Sequence, residues 1–202
     1  MVFTFVFKLK MKNSEKGITL IEIMVTIAII TLFSMILIAD YPKIKRQFAL
    51  SRAVYKFAQD LRKTQDMGLS GVQIKDENQV VVEAEGYGIY ININLSSSDG
   101  NNKQYKIYAD INGNGKYNSE GDYVIKTVDF GETEKGVIIQ EIINTKNNAP
   151  SVSINFSPPN PDIEIWQLES NRNNVEIVFA LSSDPTNKRK VSVNTSGLIE
   201  VK

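Results

Sequence analysis

Two stretches of this 202-residue sequence carry residues whose types and spacing could do chemistry. In the first, Asp110-Ile111-Asn112-Gly113-Asn114-Gly115 is followed by Asn118, Glu120 and Asp122. Oxygen-bearing side chains at alternate positions, then a glycine for a sharp turn, resemble the opening of a calcium loop. Its ligands would be Asp110, Asn112, Asn114 and Asp122, with Ca2+ as the cofactor. An EF-hand needs a carboxylate at the twelfth position, which is Gly121 here, straddled by Glu120 and Asp122. The alternative is a hairpin turn in which the Asn-Gly pairs supply positive φ.

The second stretch is defined by one residue. Glu22 is the single charge in an apolar run from Ile18 to Ala39. A carboxylate inside a spanning helix costs a few kcal/mol and is ordinarily functional, with a nameable partner. The bland alternative places Glu22 near the membrane surface, where its carboxylate reaches water.

Composition offers little else. There are no cysteines and no histidines, so thiol chemistry, disulfides, the commonest general base and the commonest transition-metal ligand are all missing. The 23 basic and 23 acidic residues cancel, leaving no overall basic field to recruit nucleic acid. Ser96–Asp99 ("SSSD") and Ser157–Pro161 ("SPPNP") fall in expected loops, and neither contains a base in a recognisable catalytic motif. A non-enzyme is expected.

The elements that must position these residues follow from periodicity. Ile18–Ala39, as a helix rising about 1.5 Å per residue, covers about 33 Å, enough for a bilayer core. Lys8, Lys10, Lys12 and Lys16 precede it, as in a secretory signal. A signal would be shorter and would end at small residues, whereas Asp40-Tyr41-Pro42-Lys43 follows here. A retained membrane helix is therefore expected. Lys43, Lys45 and Arg46 flank its other end, so charge alone does not orient it.

Pro42 is expected to bend the helix. Beyond it Ile44, Phe48, Leu50, Val54, Phe57, Ala58 and Leu61 recur at helical spacing, with Lys45, Arg46, Arg52, Lys56, Arg62 and Lys63 on solvated faces. This amphipathic continuation is expected to end near Gly68, acting as a C-terminal cap. From Val72 onward the pattern becomes strands, short runs rich in Val, Ile, Tyr and Phe between Gly, Asn, Ser and Pro clusters. Trp166, in an alternating strand, reads as core or edge packing. The expected fold is α+β, a long N-terminal helix packed on a C-terminal all-β, sandwich-like domain.

At Gly17-Ile18-Thr19-Leu20-Ile21-Glu22, after a short basic leader, the chain resembles the type IV prepilin cleavage site. The resemblance implies cleavage of the Gly17–Ile18 bond by prepilin peptidase and N-methylation of Ile18. It also implies that Glu22 meets the amino terminus of a neighbouring subunit. A carboxylate buried in this way is tolerable when paired with a cation. Residues 1–17 would then be leader, 18–40 the transmembrane assembly helix, 41–69 its amphipathic continuation and 70–202 the globular domain. A start at Met11 gives "MKNSEKG", closer to the short leaders of the family than the 17 residues from Met1.

Arg52–Leu69, Asp110–Ile125, Ile154–Asn160 and Arg189–Val201 fall in the order seen in GspH/FimT-like minor pseudopilins, which this chain resembles. The likeness implies a minor subunit of a type II secretion pseudopilus. Its partners would be other pseudopilins and membrane lipid. It would sit in the inner membrane as a single-pass protein, β domain on the extracytoplasmic side. A FimT-like minor type IV pilin that binds DNA or another extracellular ligand is the alternative. Some FimT-like pilins resemble DNA receptors through a basic Gly-Arg-x-Arg tail, but this chain reads Gly197-Leu198-Ile199-Glu200. Cleavage after Gly17 removes four lysines and one glutamate, leaving 19 basic and 22 acidic residues and a net charge of −3. Lys188-Arg189-Lys190 remains the densest basic cluster of the β domain, yet both facts oppose nucleic-acid binding.

Overall fold

The computed structural model describes residues 17–75, 79–144, 148–158, 162–167 and 170–202. The leader ahead of Gly17, with its four lysines and Met11, lies outside the described residues, as do residues 159–161 of the "SPPNP" segment. The chain divides into two compact units, Met1–Pro42 and Lys43–Lys202.

In the first unit, Leu20 opens helix α1 (Leu20–Ser70), which carries Glu22 in its first turn. Thr19 is the cap. Its Oγ1 and its carbonyl both accept from the Glu22 amide, at 3.3 and 3.1 Å. Thr19 and Glu22 thus stand at the two positions of a capping box, with the threonine's half formed. The hydroxyls farther along turn back onto their own helix. Thr26 Oγ1 donates to Ile23 O (2.8 Å), Thr31 Oγ1 to Ala28 O (2.9 Å) and Ser34 Oγ to Ile30 O (2.8 Å). These three hydroxyls need no partner from lipid, which suits a segment long and apolar enough to cross a bilayer. Pro42 lies inside the helix and removes the donor that would meet the Ile38 carbonyl.

In the second unit, the rest of α1 buries Leu50, Val54, Phe57 and Leu61, the three- and four-residue spacing read from the sequence. The strands follow as β1 (Ile74–Lys75), β2 (Val81–Val82), β3 (Gly86–Asn92), β4 (Gln104–Asp110) and β5 (Tyr123–Asp129). A one-turn helix, α2 (Phe130–Thr133), precedes β6 (Val137–Ile143), β7 (Ser151–Ser157) and β8 (Asp162–Gln167). Then come β9 (Ser170–Arg172), β10 (Asn174–Leu181), β11 (Asp184–Asn194) and β12 (Ile199–Val201). The larger antiparallel sheet has the order β5-β4-β3-β7-β8-β9, the smaller β12-β11-β10-β6, and β1 pairs with β2. The fold is α+β, a long N-terminal helix with an all-β domain of antiparallel sheets.

Alternation decides which side chains enter the core. Ile89 and Ile91 of β3, Val152, Ile154 and Phe156 of β7 and Ile177 and Phe179 of β10 share one cluster with the buried face of α1. Phe57 sits at its centre, edge-on to Tyr105 (5.0 Å between centroids, 79°) and tilted against Phe179 (5.3 Å).

The end of α1 differs from expectation. Gly68 is inside the helix, and a Cβ there would stand 2.5 Å from the carbonyl oxygen of Phe156 on β7. Its role is close approach of helix to sheet. The cap is Gly71, at φ 56°, with the Val72 amide donating to Met67 O at 3.5 Å, a Schellman closure. Helix α2 was also outside the sequence reading. Asp129 caps it by accepting from the Gly131 amide at 2.7 Å, and four residues are too few to show a period.

Candidate functional site

Three groups of residues carry the chemistry read from the sequence. The first is the N-terminal motif. Gly17, Ile18 and Thr19 precede the helix, Ile18 is exposed, and Glu22 follows in the first turn. Among the described residues no hydrogen bond or ion pair engages the Glu22 carboxylate, while its amide is held by Thr19. The cap fixes where the helix starts, and so how far the carboxylate stands from the Gly17–Ile18 bond. The three-residue spacing of Thr19 to Glu22 is the sequence signal that marks it as the capping residue.

The second is the loop from Asp110 to Asp122. Asp110 ends β4, fully buried, and its carboxylate is surrounded by donors. Oδ1 accepts from the Gly113 amide (2.8 Å), and Oδ2 from the Gly115 amide (2.8 Å) and Asn155 Nδ2 (3.0 Å). Asp122 accepts from the Ile111 amide (3.2 Å) and the Asn118 amide (2.7 Å). Burial, first, and the Asp110 charge raise its carboxyl above the ordinary value, opposed by those two amides. Asn112 Oδ1 accepts from the Asn114 amide (3.1 Å) and Asn114 Oδ1 from the Lys116 amide (2.8 Å). Gly113 and Gly115 sit at φ 67° and 72°. The loop therefore gathers all four candidate calcium ligands and occupies them with N–H donors, the pattern of a turn built around a carboxylate. Among the described residues no group of three or more acidic side chains is arranged to hold a metal ion.

This loop folds back over the outer face of the larger sheet. Tyr108 lies on Gly88, where a Cβ would meet its ring at 2.5 Å, and its hydroxyl donates to Gly115 O at 3.5 Å. Gly115 crosses against Glu164 Oε2, and the Tyr117 amide donates to Ser153 Oγ at 3.1 Å. The Tyr117 ring stacks on Tyr90 (4.6 Å) and meets Tyr108 edge-on (5.3 Å). Trp166, expected as core or edge packing, is half-buried on this outer face of β8, an interior strand, with Lys116 Nζ 4.4 Å from its ring centroid. Sequence periodicity placed each aromatic in a strand or loop but could not bring them together across four strands.

The third is the basic cluster. Lys188 on β11 reaches over β10 to Glu141 on β6 (3.2 Å), and Lys190 pairs with Glu176 on the adjacent strand β10 (3.0 Å), so two of its three cations are matched by carboxylates.

A family model for the prokaryotic N-terminal methylation motif matches residues 12–38. No curated protein and no solved structure matches the chain. The motif supports a type IV pilin-like protein, a pseudopilin or a pilin, structural rather than catalytic. It implies processing by prepilin peptidase and assembly with other pilins, and with the apolar helix it points to a single-pass membrane anchor.

Proposed function

We propose that this chain is a GspH/FimT-like minor pseudopilin, a structural subunit of a type II secretion pseudopilus. Its leader is cut at Gly17–Ile18, Ile18 is methylated, and Glu22 pairs with the new amine of a neighbouring subunit. The proposed organisation is leader 1–17, membrane and assembly helix 18–40, amphipathic helix 41–69 and globular domain 70–202, the last on the extracytoplasmic side of the inner membrane. One observation carries the reading: Glu22 lies in the first turn of an otherwise apolar helix, five residues after Gly17, inside the methylation motif. An unpaired carboxylate in hydrocarbon is costly, and the amine exposed by cleavage supplies the missing charge. The proposed role of the Asp110 loop is structural. Calorimetry of the full chain with calcium chloride checks it, since saturable heat would assign the loop to the cation instead.

Intact-mass measurement of protein from its own membrane should show loss of residues 1–17 and gain of one methyl group. Glu22→Gln should be processed normally yet fail to enter filaments, and deletion of the gene should abolish exoprotein release while surface pili persist. Normal incorporation of Glu22→Gln would overturn the pairing. Loss of pili with intact secretion would move the chain to a type IV pilus.

A further inference from the structure

We propose that the outer face of the larger sheet, beside the Asp110–Asp122 loop, is a binding slot for an uncharged pyranose-based oligosaccharide. The inference stands apart from the filament role, since it rests on residues of the β domain outside the N-terminal motif.

The slot follows from register. Lys106, Tyr90, Ser153 and Trp166 are directly paired across β4, β3, β7 and β8, so their side chains form one row on the outer face. Tyr90 and Trp166 are two strands apart, about 9.6 Å at the usual strand spacing, with only the small Ser153 between them. The Tyr117 backbone, tied to Ser153, fills part of this notch. What remains is a depression of about 260 Å³, lined by Tyr90, Tyr117, Trp166, Lys116, Asn118 and Ser151 among others. A second depression of about 350 Å³ shares Tyr90, Tyr117 and Asn118 with it and continues to Asp99, Ser119 and Glu120. Two hollows that share three lining residues, each roomy enough for a hexose ring, suit consecutive residues of a chain.

Their lining selects the ligand class. Aromatic rings bind the apolar C–H face of a pyranose, and hydroxyl and amide groups around them answer its hydroxyls. Lys106 and Lys116 lie over Tyr117 and Trp166, at 4.9 and 4.4 Å from the ring centroids, so these cations are engaged with the rings. The carboxylates of Asp99 and Glu120 border the second hollow, and they repel a phosphodiester backbone while accepting from hydroxyls. The hollows are also held firm. Tyr90 donates to Asp99 Oδ2 (3.2 Å), and Asn92 Nδ2 and Ser97 Oγ donate to Asp99 Oδ1 (2.8 and 2.7 Å). Trp166 Nε1 donates to Glu164 Oε2 (2.8 Å).

Trp166 is the single tryptophan of the chain, so its emission reports directly on the slot. The full-length protein, in a detergent without a sugar head group, is titrated with cellotetraose and with chitotetraose. A saturable change in emission with at least one of them is expected. Tyr90→Ala should weaken that binding about tenfold, the scale of one lost aromatic contact. Tyr90→Phe, which keeps the ring, should bind nearly as wild type, and calorimetry with Trp166→Ala should show the same loss as Tyr90→Ala. Circular dichroism establishes that each variant is folded. The proposal is overturned if neither tetrasaccharide gives a saturable response up to its solubility limit. It is equally overturned if a folded Tyr90→Ala protein binds as wild type, or if an oligothymidylate saturates the emission change and the sugars do not.

Discussion

Asp110 shows what a single carboxylate does in this protein. It is fully buried and accepts two backbone amides and one side-chain amide, so its charge is spread over three donors that fix the shape of the following turn. Asp110→Ala should therefore destabilise the protein by about 3 kcal/mol, because it orphans those donors as well as removing hydrogen bonds to a charged group. Urea unfolding would measure this, and a loss well below 1 kcal/mol would show that the loop holds its shape without the carboxylate. The sequence made this loop visible through its Asn-Gly pairs and alternating oxygens. It could not say which way the oxygens face. A cation loop and a carboxylate-centred turn use the same residues and differ in whether the lone pairs meet a metal or N–H groups.

At the scale of elements, the helix and most strands were legible because hydrophobic period is a direct consequence of which face is buried. Leu50, Val54, Phe57 and Leu61 announced the helix, and Val152, Ile154 and Phe156 the strand β7 they help to cover. The end of α1 was less legible, since two nearby glycines serve opposite purposes. Gly71 takes the left-handed conformation, while Gly68 lets the helix approach β7. Only tertiary structure separates these roles. Gly68→Ala should raise helix propensity and still destabilise, by about 1–3 kcal/mol, because the added methyl meets the Phe156 backbone. Gly71→Ala should cost less, about 1 kcal/mol, the strain of one left-handed residue. Thermal unfolding of both variants gives the order; a more stable Gly68→Ala protein would mean that helix and strand separate easily there.

For the molecule as a whole, buried tyrosines tie stability to alkaline pH. Burial, helped by the Asp99 charge, pushes the Tyr90 hydroxyl up to about 12. Burial raises Tyr105 too, with Asp60 beside it at 2.5 Å, and Tyr108, near Asp110. Each group keeps its proton to higher pH when folded than when unfolded. Their contribution is therefore complete below about pH 10 and is lost as pH climbs through the folded values. The unfolding midpoint should fall steeply between about pH 10 and 12, and Tyr108→Phe should flatten that fall. A midpoint independent of pH over this range would mean that these hydroxyls are open to solvent.

The hydroxyls of Thr26, Thr31 and Ser34 are all spent on their own helix, which has a consequence for any bundle that such helices form. Neighbours sliding along one another would find smooth apolar flanks and one polar tooth, the carboxylate near the tip. In the proposed assembly a slip of one turn, about 5.4 Å, would leave that tooth unmatched, so a single residue would set the axial stagger between subunits.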